Sequence, residues 1–408
     1  MSTIALHNLQ TSSFVPLTRS KRIESVDLLR GVVMIIMALD HVCDYFHYDA
    51  FLYSPTDPAH TTVFLFFTRF ITHYCAPVFV FLAGVSAHLS GIKKSRKELS
   101  AFLFSRGIFL VLVELFIISL FRTFNPLYHF FNLQVIWAIG ISMIVLSAII
   151  YLNRQMILLI SILLIAGHNL LDNIHIGDKG ALSFIWSLLH DPGQFTFGRF
   201  TFHIHYPLLP WIGIMAFGYY AGYLFTPGYN DAKRRKIFLL LGTASIVLFI
   251  IIRYSNFYGD PVRWTIQKNN VFSLLSFLNV TKYPPSFLYT LITLGPAFIF
   301  LALFENLRNA WTRRIAVLGR TPMFYYLAHV LLIHLFAVAG AVISGYKWED
   351  MILTTMVNSA PALKGYGFNL LTVYIVWMGL VLLLYPCCKW FDRYKRTHHS
   401  TQRWLSYL

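Results

Sequence analysis

Apolar residues fall into ten runs along the chain, at approximately 24–46, 62–90, 102–121, 130–152, 156–172, 206–226, 237–253, 286–304, 315–341 and 369–388. Each run is long enough, or nearly so, to cross about 30 Å of hydrocarbon as a helix rising about 1.5 Å per residue. Lipid cannot satisfy an open backbone, and no alternating pattern of about ten residues appears, so the pattern predicts helices and not a barrel. The expected fold is all-α: a polytopic integral membrane helical bundle of about ten transmembrane helices. The stretch 182–189 (LSFIWSLL) predicts a short interfacial helix. No internal repeat is evident.

Composition agrees. Of 408 residues, 57% are hydrophobic and 12% charged, and mean hydropathy is +0.61, whereas a soluble domain is about 25% charged. There are 33 Lys and Arg against 17 Asp and Glu. That excess is read as topology and not as a nucleic-acid surface: no nucleic-acid partner is expected. With the N-terminus inside, the inner loops are short and basic (Lys93, Lys94, Arg96 and Lys97; Lys233 to Lys236) and carry about twice the Lys and Arg of the outer ones. Both termini are then cytoplasmic. The outer loops, which hold Arg122, Arg199, Lys282 and Lys347, are the long ones. The first twenty residues lack an apolar core with a small-residue cleavage site, so no cleaved signal peptide is expected. The four cysteines have no zinc spacing and demand no disulfide.

Ionisable groups inside the spans carry the candidate chemistry, because each costs at least about 2.5–3.5 kcal/mol there. In the first run Asp27, Arg30, Met34, Met37, His41, Asp44 and Tyr48 recur at steps of three and four, on one helical face. Arg30 and His41 are about 16 Å apart along the axis. An arginine near the cytoplasmic end suits a phosphorylated donor. A histidine beside Asp40 and Asp44 suits a general base whose tautomer a carboxylate fixes. The second run offers Arg69 and His73 before Pro77, and Glu114 stands mid-span in the third, in need of a partner for which Arg69 and Arg106 are both open. The ninth offers Arg320, Tyr325, Tyr326, His329 and His334, of which His334 reads as structural. His168 and Asp172 lie four apart at the outer end of the fifth run, and His203-x-His205 follows outside. The last pair is able to chelate but has no third ligand close in sequence, so no metal is expected. Dinucleotide, Walker, HExxH, CxxC and GxSxG motifs are absent.

Several of these stretches resemble a known family. DLLRGVVMIIMALDHVCDYFH (27–47), FFTRFITHYCAPVFVFLAGVSA (66–87), LQVIWAIG (133–140), YPLLPWIGIMAFGY (206–219), LNVTKYPPS (278–286), LGRTPMFYYLAH (318–329) and the terminal WLSYL are similar to the bacterial branch of the heparan-alpha-glucosaminide N-acetyltransferase catalytic-domain family. The resemblance runs from about residue 22 to the end. It implies a membrane acyltransferase that takes acetyl-CoA from the cytoplasmic side and acetylates a sugar on the other, here in a bacterial cytoplasmic (inner) membrane. Related acyltransferase-3 proteins share an arginine, ten residues and a histidine in their first helix, the pattern of Arg30 and His41. In the lysosomal member an asparagine stands at the place of His41 and the catalytic histidine follows it, in a segment where this chain offers His47 and His60. That member also has a luminal domain before its membrane core, which this chain lacks, so heparan sulfate is not the expected acceptor.

The expected organisation is a cytoplasmic tail (1–23), a transmembrane acyltransferase-like domain (24–390) and a second cytoplasmic tail (391–408). The leading function is transfer of an acetyl or other acyl group from cytoplasmic acyl-CoA to a sugar amine or hydroxyl of an envelope glycan or glycolipid. His41 would be the general base, oriented by Asp40 or Asp44. His73 would support it or stabilise an oxyanion, and Arg30 and Arg320 would hold donor phosphates. The expected partners are the lipid bilayer, the donor and the acceptor, and association with a second copy is left open. The alternative is a transporter or flippase of a glycan or lipid precursor, which would turn over no acyl-CoA. A scaffold without chemistry leaves the polar face of the first span unexplained.

Overall fold

The structure is a computed structural model. It describes residues 24–398 and 401–406, apart from Ser54, Pro58, Asp178, Lys179 and Arg308. The expected tail 1–23 lies outside the described residues, as do Tyr407 and Leu408 of the C-terminal motif. In chain order the principal elements are α1 (Glu24–Phe46), α2 (Val63–Thr72), α3 (Cys75–Gly91), α4 (Arg96–Leu112) and α5 (Ser119–Thr123). There follow β1 (Phe130–Leu133), α6 (Val135–Ile149), α7 (Arg154–Ala166), α8 (Ala181–Leu189), β2 (Gly193–Phe197) and β3 (Phe200–Ile204). The rest are α9 (Leu208–Ala221), α10 (Asp231–Ser255), α11 (Asn270–Leu278), α12 (Phe287–Leu303), α13 (Ala310–Arg320), α14 (Pro322–Ile343) and α15 (Leu370–His398).

Among the described residues, six stretches are long and apolar enough to cross a membrane: Val63–Gly91, Arg96–Thr123, Leu208–Phe225, Asp231–Ser255, Pro322–Ile343 and Leu370–His398. The helices α6, α7 and α12 are apolar but shorter. The 23-residue α1 is long enough, but its polar stripe interrupts the apolar run. It lies at the centre instead, packed by α2, α3, α12, α13, α14 and α15, while α10 and α15 keep most of their apolar surface outward.

Three of the predicted runs are broken by identifiable chemistry. The second divides at His73 and Tyr74 because Pro77 has no N–H to offer the His73 carbonyl, which accepts a bond from the Tyr289 hydroxyl (2.7 Å) instead. The third carries a π turn at Val113–Ile118, around Glu114. The ninth divides at Thr321, with Pro322 opening α14 where no N–H is needed. The expected boundary at 390 falls inside α15, which runs on to His398.

The expectation of helices alone is corrected by a three-stranded sheet of order β1-β3-β2, β1 parallel and β2 antiparallel to β3. Its strands are four or five residues long and rich in Phe, and β2 and β3 are joined by a two-residue Gly198–Arg199 turn with Gly198 at φ +59°. The stretch 182–189 lies within α8, as the pattern predicts, and packs Phe184 and Leu188 on the sheet.

Glycines let the central helices touch backbone to backbone. A Cβ on Gly319 would lie 1.9 Å from the Asp27 carbonyl oxygen, and one on Gly31 would lie 2.2 Å from that of Ile315, which locks α13 against α1. Gly319→Val is expected to lower the unfolding midpoint in detergent, since overpacking costs about 1–3 kcal/mol. Gly379→Ala, where nothing lies within 4 Å, is expected to leave it unchanged or raise it. Equal midpoints for the two variants would refute the close packing of α1 and α13.

Candidate active site

The face of α1 that the spacing predicts runs between two cavities. One, of about 390 Å³, is lined by Asp40, His41, Asp44, Arg69, His73 and Arg122 from the helices. Phe130, Asn132, Gln134, His205, Tyr206, Lys282 and Tyr283 come to it from the sheet and the long loops. The other, of about 250 Å³, is lined by Arg30, Met34, Met37, Ser86, Arg106, Arg320, Tyr326 and Lys395. His41 in the wall of the first and Tyr326 in the wall of the second meet edge to face, their ring centres 6.0 Å apart.

His41 is held by a chain whose directions are fixed by its ends. Arg122 has only N–H groups, so Arg122 Nη2 donates to His41 Nε2 (3.1 Å). The Tyr325 carbonyl only accepts, so His329 Nδ1 donates to it (2.9 Å). His329 Nε2 therefore carries a lone pair, which accepts from His41 Nδ1–H at 2.7 Å. The basic lone pair of His41 is thereby placed on Nε2. Tyr45, one helical turn further along α1, donates to the Arg122 carbonyl (2.6 Å) and keeps that end of the chain in place. Glu114, for which the sequence offers Arg69 or Arg106, accepts from the Trp137 N–H at the start of α6 (3.2 Å) and acts on Arg122 electrostatically.

The carboxylates expected to orient His41 are engaged elsewhere. Arg69 Nη1 lies 2.8 Å from Asp40 and 3.0 Å from Asp44. Thr72 donates to Asp40 (2.6 Å), and the Lys282 ammonium stands 3.5 Å from it. Burial penalises the charge of Lys282, but Asp40 beside it, together with Tyr206 and Asp44, outweighs that penalty and raises its pKa above the ordinary lysine value. Burial, with His203 and Lys282 nearby, holds His205 well below the ordinary histidine value. The orienting groups of His41 are thus Arg122 and His329. Arg122 reads from the sequence as an outer-loop charge, because the apolar run stops at residue 121 and the π turn that carries the helix on to Thr123 has no sequence signal.

The other candidates separate cleanly. His73 lines the larger cavity with its Nδ1 buried and unbonded. His47 instead accepts from the Asp49 N–H, and His60 is exposed, paired with Asp57 and stacked on Tyr53; neither is in that cavity wall. Arg30 and Arg320 come together at the smaller cavity. Arg30 donates to Asp27 (3.3 Å), the Gly319 carbonyl (3.2 Å) and Ser86 (2.9 Å), and Arg320 holds Asp392 with two nitrogens. His334 stands between the Phe121 and Met351 carbonyls (2.8 and 3.0 Å), and its single N–H in the neutral ring donates to one of them. His203 bonds Asn132, and His205 packs on Tyr283.

Residues 22–258 match the family described as heparan-alpha-glucosaminide N-acetyltransferase, catalytic. The chain belongs to that family. Like its members it is a multi-pass membrane protein of an acetyltransferase family that uses acetyl-CoA. The part matched to the heparan-alpha-glucosaminide N-acetyltransferases takes in Arg30, Asp40, His41, Asp44, Arg69, His73 and Arg122, while Lys282, Arg320 and His329 lie beyond it. Comparison with curated proteins finds no match.

Proposed function

We propose that this protein moves an acetyl group from acetyl-CoA in the smaller cavity to an amine or hydroxyl of a sugar in the larger one. The observation that supports it most is the meeting of the two cavities at Tyr326 and His41, where one histidine presents a directed lone pair. The smaller cavity falls below the usual range of about 300–1,000 Å³ for a whole ligand. It suits the slender pantetheine arm, with Arg30, Arg106, Arg320 and Lys395 as cations for the phosphates. The larger cavity offers amide and charged groups beside the Tyr206 and Tyr283 rings, the surroundings a polyhydroxylated acceptor needs.

In this reading the nucleophile attacks the thioester carbonyl and gives its proton to His41 Nε2. The imidazolium so formed is steadied by His329 Nε2 through Nδ1–H. Arg122, released from Nε2, and His73 are the groups at hand for the oxyanion. The C–S bond breaks, and the thiolate leaves toward the smaller cavity. Asp40 and Asp44 shape the acceptor side through Arg69 and Lys282. The basic loops lie at the donor end, so that end is assigned to the cytoplasm and both termini with it. With α1 and the three shorter apolar helices crossing as well, the chain spans the membrane ten times. We assign it to the bacterial branch and an inner membrane, with an envelope glycan or glycolipid as acceptor.

The test is label transfer by the purified protein from labelled acetyl-CoA to glucosamine and to an envelope extract, with donor binding measured beside it. Binding with transfer or slow hydrolysis is expected; neither binding nor turnover of any acyl-CoA would move the assignment to a transporter. Arg320→Ala is expected to raise KM for acetyl-CoA at least about tenfold with kcat nearly unchanged, since a charge-assisted bond is worth about 1.5–3 kcal/mol. An unchanged KM would remove Arg320 from the donor site.

A further inference from the structure

A second cluster of titratable groups lies away from both cavities and plays no part in acyl transfer. His168 begins the single turn His168–Leu171 that follows α7, Asp172 ends that turn, and His190 ends α8. One ligand atom from each of the three lies within 4.8 Å of the others. His168 and His190 are each 3% exposed. Neither ring nitrogen of His168, nor Nδ1 of His190, completes a hydrogen bond, although the Pro285 carbonyl stands close to His168. Leaving such groups unsatisfied costs about 1–3 kcal/mol each, and no acyl-transfer role offsets it.

We propose that His168, Asp172 and His190 bind one divalent transition-metal ion of the zinc class. Two imidazoles and a carboxylate are the donors such an ion prefers. Bonds of about 2.0–2.2 Å in a tetrahedral site place ligand atoms about 3.3 Å apart. His190 Nε2 and Asp172 Oδ1 already stand 3.2 Å apart. Asn169 donates to the other oxygen, Asp172 Oδ2 (2.8 Å), and so aims Oδ1 at the histidines. A solvent molecule completes the four ligands.

The site's position gives the ion a structural role. It ties the end of α7 to the end of α8 across the loop between them, and α8 supports the sheet that bears Asn132 at the larger cavity. Asn169, next to His168, also accepts from the Phe287 N–H at the start of α12 (2.8 Å).

The experiment uses the full chain in detergent, stripped with a chelator and re-equilibrated with Zn²⁺. One zinc per chain and a rise in unfolding midpoint are expected, with both lost in His168→Ala and His190→Ala and both kept in His203→Ala. Asp172→Asn, which preserves shape and the bond from Asn169, is expected to weaken zinc at least about tenfold while the metal-free midpoint is unchanged. Replacing zinc with Co²⁺ is expected to give the visible bands of a tetrahedral nitrogen–oxygen site in the wild type. Zinc well below one per chain, a featureless cobalt spectrum, or equal binding by wild type and Asp172→Asn would each overturn the site.

Discussion

Replacing His41 with alanine is expected to slow acyl transfer about 10²–10⁴-fold, the usual contribution of a positioned base, while the Kd for acetyl-CoA changes by no more than about twofold. Two constraints lead there. Arg122 is only a donor and the Tyr325 carbonyl only an acceptor, so the lone pair of His41 lies on Nε2 and its Nδ1–H points at His329. The ring is therefore ready to accept a proton on the cavity side and to pass the resulting charge toward a second imidazole. His41 is also outside the wall of the smaller cavity, so donor binding does not depend on it. His329→Ala is expected to cost less than His41→Ala and to shift the pH profile of kcat/KM, because it leaves the base and removes its acceptor. Single-turnover transfer and donor binding measured on the same samples separate the cases. Full activity in His41→Ala, or equal loss of binding and transfer, would remove His41 as the base.

The parts of this site that were legible in the sequence are those that depend on local periodicity. Steps of three and four put Arg30 and His41 on one face of α1, and the structure lays that face along both cavities. Partners across the bundle were not legible. Asp40 precedes His41, and consecutive helical residues point about 100° apart, so Asp40 turns to Arg69 on α2. Asp44 shares the face of His41, yet the half-buried guanidinium of Arg69 attracts its charge more strongly than a neutral ring does. Lys282 sits in a loop more than two hundred residues away, with no spacing to connect it to α1. The sheet was missed for a different reason. Strands of four or five residues are too short for membrane-length alternation: β1 opens the apolar run 130–152 and reads as part of it, while β2 and β3 lie between runs, where short aromatic stretches read as loop.

Arg69→Leu is expected to have the largest effect on stability, a loss approaching the range of about 3–5 kcal/mol for a buried ion pair broken from one side but lessened by solvent, since the side chains of Arg69, Asp40 and Asp44 are 17%, 14% and 34% exposed. Arg69 faces Asp40 and Asp44 together and also donates to the Asp40 carbonyl (3.2 Å). Removing it leaves two carboxylates facing one another, with Lys282 near only the first. Arg69→Lys is not a conservative replacement, because all three contacts run from Nη1 at the tip of the longer arginine side chain, and a lysine ammonium on its shorter stem falls short of that point. If the loss comes from the stranded charges, then Arg69→Leu combined with Asp40→Asn and Asp44→Asn recovers most of the midpoint in detergent, although the triple variant has lost three polar contacts. If it comes from lost packing of the arginine stem, the asparagines recover nothing. The same comparison bears on function. A triad that exists to fold α2 onto α1 leaves acyl-CoA binding intact in the rescued protein, because none of its members lines the smaller cavity. Acceptor transfer falls nonetheless, since Asp40, Asp44 and Arg69 all face the larger one.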